Sequence, residues 1–89
     1  MITVYALRFA AGTIYSGMTN DMARRIQEHL RRQSVSTRRF KGDFVVIHQE
    51  EFAGRTEARR HEKYLKSGAG RAFLKKISSE LPRMSKYPG

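Results

Sequence analysis

The stretch TIYSGMTNDMARRIQEH, residues 13–29, changes character midway. Residues 13–18, TIYSGM, open on two β-branched residues and a tyrosine and read as an extended strand. Thr19, Asn20 and Asp21 then offer side-chain oxygens that can cap the first free N–H groups of a helix. From Met22 onward, Met22, Ile26 and Leu30 recur every four positions. That stripe predicts a core-facing helix running to about Gln33. On a wheel of ~100° per residue measured from Met22, His29 falls near ~−20°, Arg25 near ~−60° and Arg32 near ~−80°. Arg25 and His29 therefore share one rim, one turn apart, at the border of the buried stripe. Arg24, Glu28 and Arg31 are expected to point elsewhere. A solvated charged face explains Arg24 and Arg31 readily. It explains a histidine beside the core less well.

Upstream, ITVYALRF (residues 2–9) reads as a strand, and AAG (10–12) as a short turn with Gly12 available for a positive φ. The opening is thus a β-hairpin carrying two tyrosines. The side-chain period of two makes Tyr5 cofacial with Thr3 and Leu7, and Tyr15 cofacial with Thr13 and Gly17. Gly17, late in its strand, marks a bend or a close approach. As a plain cross-strand aromatic pair, the tyrosines would contribute roughly 0.2–1 kcal/mol.

Downstream, SVSTRRFKGD (34–43) is a basic loop containing Arg38, Arg39 and Lys41, and FVVIHQEEF (44–52) is a third strand. Gly54 ends it. Thr56 is the expected cap of a second helix, EARRHEKYLKS, with Gly68 at its C′ position. A third helix is expected from about Gly70 to Ser79, with Phe73, Leu74 and Ile77 turned inward. The order ββαβαα predicts an α+β fold: a small three-stranded antiparallel sheet flanked by helices. Residues 1–80 read as one domain and LPRMSKYPG (81–89) as a C-terminal tail. On the second helix Ala58, Glu62 and Leu65 share a face, which sets Glu62 toward the sheet. An ionised carboxylate there requires a cation partner or a metal. His48 reads as a strand-surface or edge residue, and His61 as an ordinary helix-face polar group.

The totals narrow the functional classes. Among 89 residues there is no cysteine, which removes disulfides, thiolate zinc sites and cysteine nucleophiles, and fits a reducing cytoplasm. No run of eighteen apolar residues and no signal-peptide pattern suggests a membrane or export. Eighteen Lys and Arg against eight Asp and Glu give a net charge of +10, an excess that attracts polyanions such as nucleic acid.

Taken together, these residues resemble the GIY-YIG nuclease domain. TVY (Thr3, Val4, Tyr5) stands for the first signature and YSG (Tyr15, Ser16, Gly17) for the second, at the family's separation. Arg25 and His29 follow at the family's spacing, and Glu62 in HEKYLKSG matches its metal-binding glutamate. The resemblance covers roughly residues 2–77 and is nearest to single-domain members. Thr3-Val4 replaces Gly-Ile, and Ser16 replaces Ile. The asparagine that many members carry after Glu62 is missing, since Asn20 is the sole asparagine. Ser67 and Arg71 are candidates for its place.

The resemblance implies a divalent-metal-dependent DNA endonuclease that hydrolyses phosphodiester bonds, with a role in DNA repair or recombination. It implies Mg²⁺ or Mn²⁺ held by Glu62. Tyr5 would act as general base with His29 as proton acceptor, although the order of these two stays open. Arg25, the ion and the second phenol would favour the Tyr5 anion. Tyr15 would orient the water or phosphate, and Arg25 would clamp the developing charge. Arg38, Arg39, Lys41, Arg59, Arg60, Lys63, Lys66 and Arg71 are expected to meet the backbone of duplex or branched DNA. A partner protein or a transient dimer is expected, since a double-strand break would need dimerisation or two encounters. The alternative is a catalytically weak or inactive nucleic-acid-binding module of the same fold.

Overall fold

A computed structural model describes residues 1–31, 43–80 and 86–87. The hairpin forms as expected, with β1 at Ile2–Phe9, β2 at Ile14–Thr19 and Gly12 between them at φ +94°. Then follow α1 (Met22–Leu30), β3 (Phe44–Phe52), α2 (Arg55–Lys66), α3 (Gly68–Glu80) and β4 (Lys86–Tyr87). The strands form one antiparallel sheet in the order β2-β1-β3-β4. The three expected strands are its body. The fourth, only two residues long, pairs with Phe44 and Val45.

Alternation along β1 divides the core between the two faces of the sheet. Tyr5, Leu7 and Phe9 pack with Phe44 and with Ile26 of α1, flanked by Met22 and Leu30. Ile2, Val4 and Ala6 pack on the other face with Ile47, Ala58, Leu65 and Leu74. α1 therefore covers one face, and α2 with α3 the other. Burying Leu7, Leu65 or Leu74 is worth about 1.5–3 kcal/mol each, so all three layers depend on these contacts.

Local chemistry sets the helix ends. Asp21 is the working cap of α1, its Oδ1 accepting from the Arg24 N–H at 3.1 Å. Thr19 Oγ1 accepts from the Asp21 N–H at 3.1 Å and tightens the entry. Arg31 closes α1, and the expected extension to Gln33 lies outside the described residues. Gly54, rather than Thr56, is the N-cap of α2. α3 begins at Gly68, two residues early, because Ser67 ends α2 and its Oγ accepts from the Gly70 N–H at 3.2 Å. At Gly70 a Cβ would overlap the Tyr64 carbonyl oxygen and lie 2.6 Å from Leu65 Cα. Only glycine allows α3 to fold back so closely on α2.

Candidate active site

The hairpin register places Gly17 opposite Tyr5, and Tyr15 opposite Leu7. Both tyrosines thus stand on the α1 face as diagonal neighbours, with ring centroids 6.3 Å apart. A Cβ on Gly17 would lie 2.9 Å from the Tyr5 hydroxyl and 3.1 Å from the Tyr15 hydroxyl. The missing side chain is what lets the two phenols converge. The close approach expected at Gly17 is that of its own two tyrosines.

The rim read from the α1 wheel meets these phenols. His29 is 4% exposed, and its ring lies edge-on to Tyr5 and Tyr15 at 5.8 and 5.7 Å. Its Nε2 is 2.9 Å from the Tyr5 hydroxyl. The Arg25 Nε donates to that same hydroxyl at 3.1 Å, and Arg25 also interacts with the Tyr15 hydroxyl. Glu28, expected to point away, instead accepts from Arg25 Nη1 at 2.8 Å. One turn of helix separates them, so the carboxylate braces the guanidinium from the solvent side.

Electrostatics sets the protonation states along this chain. Burial, reinforced by Arg25, pushes the His29 pKa down to about 4, so its imidazole is neutral at physiological pH. Arginine can only donate, so the Tyr5 oxygen accepts from Arg25, and in the tautomer that carries its proton on Nδ1 the His29 Nε2 accepts from the Tyr5 O–H. Burial also pushes the Tyr5 pKa up to about 12, outweighing the hydrogen bond from Arg25 that pulls the other way. The expected bias of Arg25 toward the phenolate is present but smaller than desolvation. Tyr5 is a neutral phenol with a proton acceptor already in place.

Glu62 lies on α2, across the sheet from α1. Its side chain is 14% exposed, with Arg59 Nε at 3.8 Å and Lys66 Nζ at 3.3 Å. Its contacts among the described residues are to these cations rather than to Tyr5, Tyr15, Arg25 or His29. The link runs through β2, the edge strand, which α1 and α2 flank from opposite faces. A groove of about 420 Å³ joins Tyr15 and Ser16 to Lys66, Arg71 and Lys75. A neighbouring hollow is walled by Arg55, Arg59, Arg60 and Lys63, and a third by Arg24, Arg25 and Arg55.

The described cations of the expected DNA track, Arg59, Arg60, Lys63, Lys66 and Arg71, are therefore exposed around one edge. Arg38, Arg39 and Lys41 lie outside the described residues. Arg55 was missed in the sequence, yet it lines the hollows on both sides of the edge. Its signal was available: it sits one helical turn before Arg59. Of the two residues suggested for the absent asparagine, Ser67 is occupied as a helix cap, its Oγ donating to the Tyr64 carbonyl at 2.6 Å. Arg71 lines the groove with Tyr15.

The profile of the GIY-YIG catalytic domain matches residues 1–76. A UPF0213 protein of Nitratidesulfovibrio vulgaris is 40% identical over 63 residues, covering 71% of this chain and 57% of that relative. One from Aeromonas salmonicida is 29% identical over 85 residues, covering 96% and 62%. One from Yersinia pestis is 30% identical over 81 residues, covering 91% and 84%. The match thus spans less than two thirds of the first two relatives' length. The solution NMR structure of a UPF0213 protein from Bacillus halodurans matches with a TM-score of 0.53 at 26% identity, covering 94% of this chain and 100% of that one.

Proposed function

This chain belongs to the GIY-YIG catalytic-domain family, and from that premise we propose that it is a divalent-metal-dependent endonuclease hydrolysing phosphodiester bonds in DNA. The observation that carries the reading is the hydrogen-bonded run from Arg25 through Tyr5 to His29, with Arg25 opening onto a hollow that Arg24 and Arg55 also line. A structural aromatic pair has no need of a partly buried arginine on one side and a buried neutral imidazole on the other.

Hydrolysis requires a proton to leave the attacking water while charge builds on phosphorus. A phenol with a pKa near 12 supplies almost no standing phenolate at neutral pH. Tyr5 instead accepts the water's proton on its oxygen as its own proton passes to His29 Nε2, so no free phenolate accumulates. Tyr5 is fully enclosed whereas Tyr15 is half-buried. Tyr15 is accordingly the phenol that meets water and phosphate first and aligns them against Tyr5. Arg25, braced by Glu28, donates toward the charge developing on the phosphate.

Glu62 is the residue we assign to Mg²⁺ or Mn²⁺. A single partly shielded carboxylate at a basic edge that gathers phosphates suits a hard ion that takes one or two carboxylates plus substrate oxygens. Arg59 and Lys66 balance its charge in the free chain. When bound, the ion would act as a Lewis acid on the scissile phosphate. The basic track around β2 would hold duplex or branched DNA by its backbone, without reading bases. One such site cuts one strand, so a double-strand break would call for a transient dimer or a partner protein. We assign the activity to DNA repair or recombination, and the absence of cysteine fits a reducing cytoplasm. Among the described residues no helix is long and apolar enough to cross a membrane.

A second reading, a binding module with weak or no cleavage, rests on the missing asparagine and on Ser67 being committed to the cap. Nicking of supercoiled plasmid with and without Mg²⁺ separates the two. The endonuclease reading expects ion-dependent nicking that Glu62→Gln abolishes while duplex binding persists. Duplex binding without nicking, whichever divalent ion is added, favours the module.

A further inference from the structure

On the face of the sheet opposite Tyr5, His48 and Glu50 of β3 and His61 of α2 point at one another. An irregularity in β3 brings them there. Ala6 pairs with His48 but Leu7 pairs with Val46, so Ile47 is an extra residue in the ladder. Ile47 joins the core under α2 and α3, and His48 still meets His61 of α2 and Phe73 of α3. Two consecutive residues thus face the same helices, which strict alternation would forbid. Glu50, opposite Val4, follows on that face.

We propose that His48, Glu50 and His61 form a metal site for a borderline transition ion of the Zn²⁺ class, separate from Glu62. The two imidazole Nε2 atoms are 3.1 Å apart, and Glu50 Oε1 lies 3.9 and 3.8 Å from them. Four-coordinate Zn²⁺ with bonds of about 2.0–2.1 Å places its ligand atoms about 3.3 Å from one another. The histidine pair is near that spacing already. Glu50, half exposed, has the freedom to close the remaining few tenths of an ångström. Glu62 is not part of this grouping.

The surroundings hold the imidazoles in place before an ion arrives. Phe73 lies edge-on to His48 at 5.7 Å, Phe52 packs on His61 at 5.2 Å, and Tyr64 stacks on it at 6.0 Å. Such an apolar shell fixes ring orientation and limits water. Two imidazoles and one carboxylate suit Zn²⁺ and its neighbours better than Mg²⁺, which prefers oxygen and resists dehydration. Three protein ligands leave the fourth position to water on the Glu50 side. An ion bound here joins β3 to α2, the helix that carries Glu62 in the next position after His61.

The test is titration of tag-free protein with Zn²⁺ by calorimetry, together with the visible absorption of a Co²⁺ complex. The expected result is one ion per chain with a tetrahedral Co²⁺ spectrum, undisturbed by a large excess of Mg²⁺ and retained in Glu62→Gln. Even an outer-shell partner is worth about 10–100-fold in metal affinity, so His48→Ala or His61→Ala should weaken binding by at least about 100-fold. Should either alanine variant unfold, Glu50→Gln provides the same readout from a half-exposed side chain. Failure of the wild type to take up Zn²⁺, or uptake that survives loss of both histidines, would overturn the assignment.

Discussion

Gly17 stands directly across the β1–β2 ladder from Tyr5, and a methyl group on it would lie 2.9 Å from the Tyr5 hydroxyl. The position is therefore tied to the phenols rather than to a turn. Gly17→Ala should push Tyr5 and Tyr15 apart and sever the path from Arg25 to His29. Overpacking of this kind costs about 1–3 kcal/mol, so the variant should still fold. Thermal melting alongside plasmid nicking checks both halves. Activity should fall far more steeply than the modest drop in melting temperature suggests.

His29 should leave a signature in stability against pH. Its pKa falls from 6.5 in the unfolded chain to about 4 in the folded one, so above pH 6.5 it is neutral in both states. As pH drops below 6.5 the unfolded chain takes up a proton that the folded chain refuses. Stability should thus be lost progressively between pH 6.5 and about 4, by roughly 3 kcal/mol at most from this residue. His48, whose pKa burial also lowers, adds a slope of the same sign. Urea unfolding of wild type and His29→Gln across that window isolates the difference. The variant should show the shallower slope.

Arg59 and Lys63 wall one hollow of the basic edge. Each phosphate contact contributes about 0.9 to the slope of log affinity against log salt. Replacing both with alanine should flatten that slope by about 2 and weaken all duplex sequences alike. Fluorescence anisotropy at several salt concentrations reads the effect. An unchanged slope would move the backbone contacts elsewhere.

What the sequence disclosed depended on how local its signal was. The rim shared by Arg25 and His29 is a property of one helix, and period alone placed both at the border of its buried stripe, which the structure sets against the tyrosines. Gly17 announced a bend or a close approach, the usual reasons for glycine late in a strand, and the two phenols select the second. Glu28 was misplaced because a wheel records direction but not reach, and an arginine one turn away bends to meet it. Gly68 does stand at C′ of α2, just after the C-cap Ser67, but it also opens α3, two residues before the expected start. Two capping signals one residue apart cannot be ranked without the α2–α3 contact at Gly70. His48 read as a surface or edge residue because nothing in FVVIHQEEF marks the extra residue Ile47. That bulge is decided by pairing with β1, far away in sequence.

The central claim, that the Tyr5 hydroxyl carries a proton rather than merely filling space, is tested most directly by Tyr5→Phe. The ring and its packing against Leu7, Ile26 and Phe44 remain, while Arg25 and His29 each lose a hydrogen-bond partner. That loss should cost about 1–3 kcal/mol of stability. The measurement is the single-turnover nicking rate at saturating Mg²⁺, well below the melting temperature of the variant. The account predicts a fall of about 10²–10⁴-fold, the range for a general acid–base group, with duplex affinity unchanged. A nicking rate near that of the wild type would contradict it and transfer the role of base to His29.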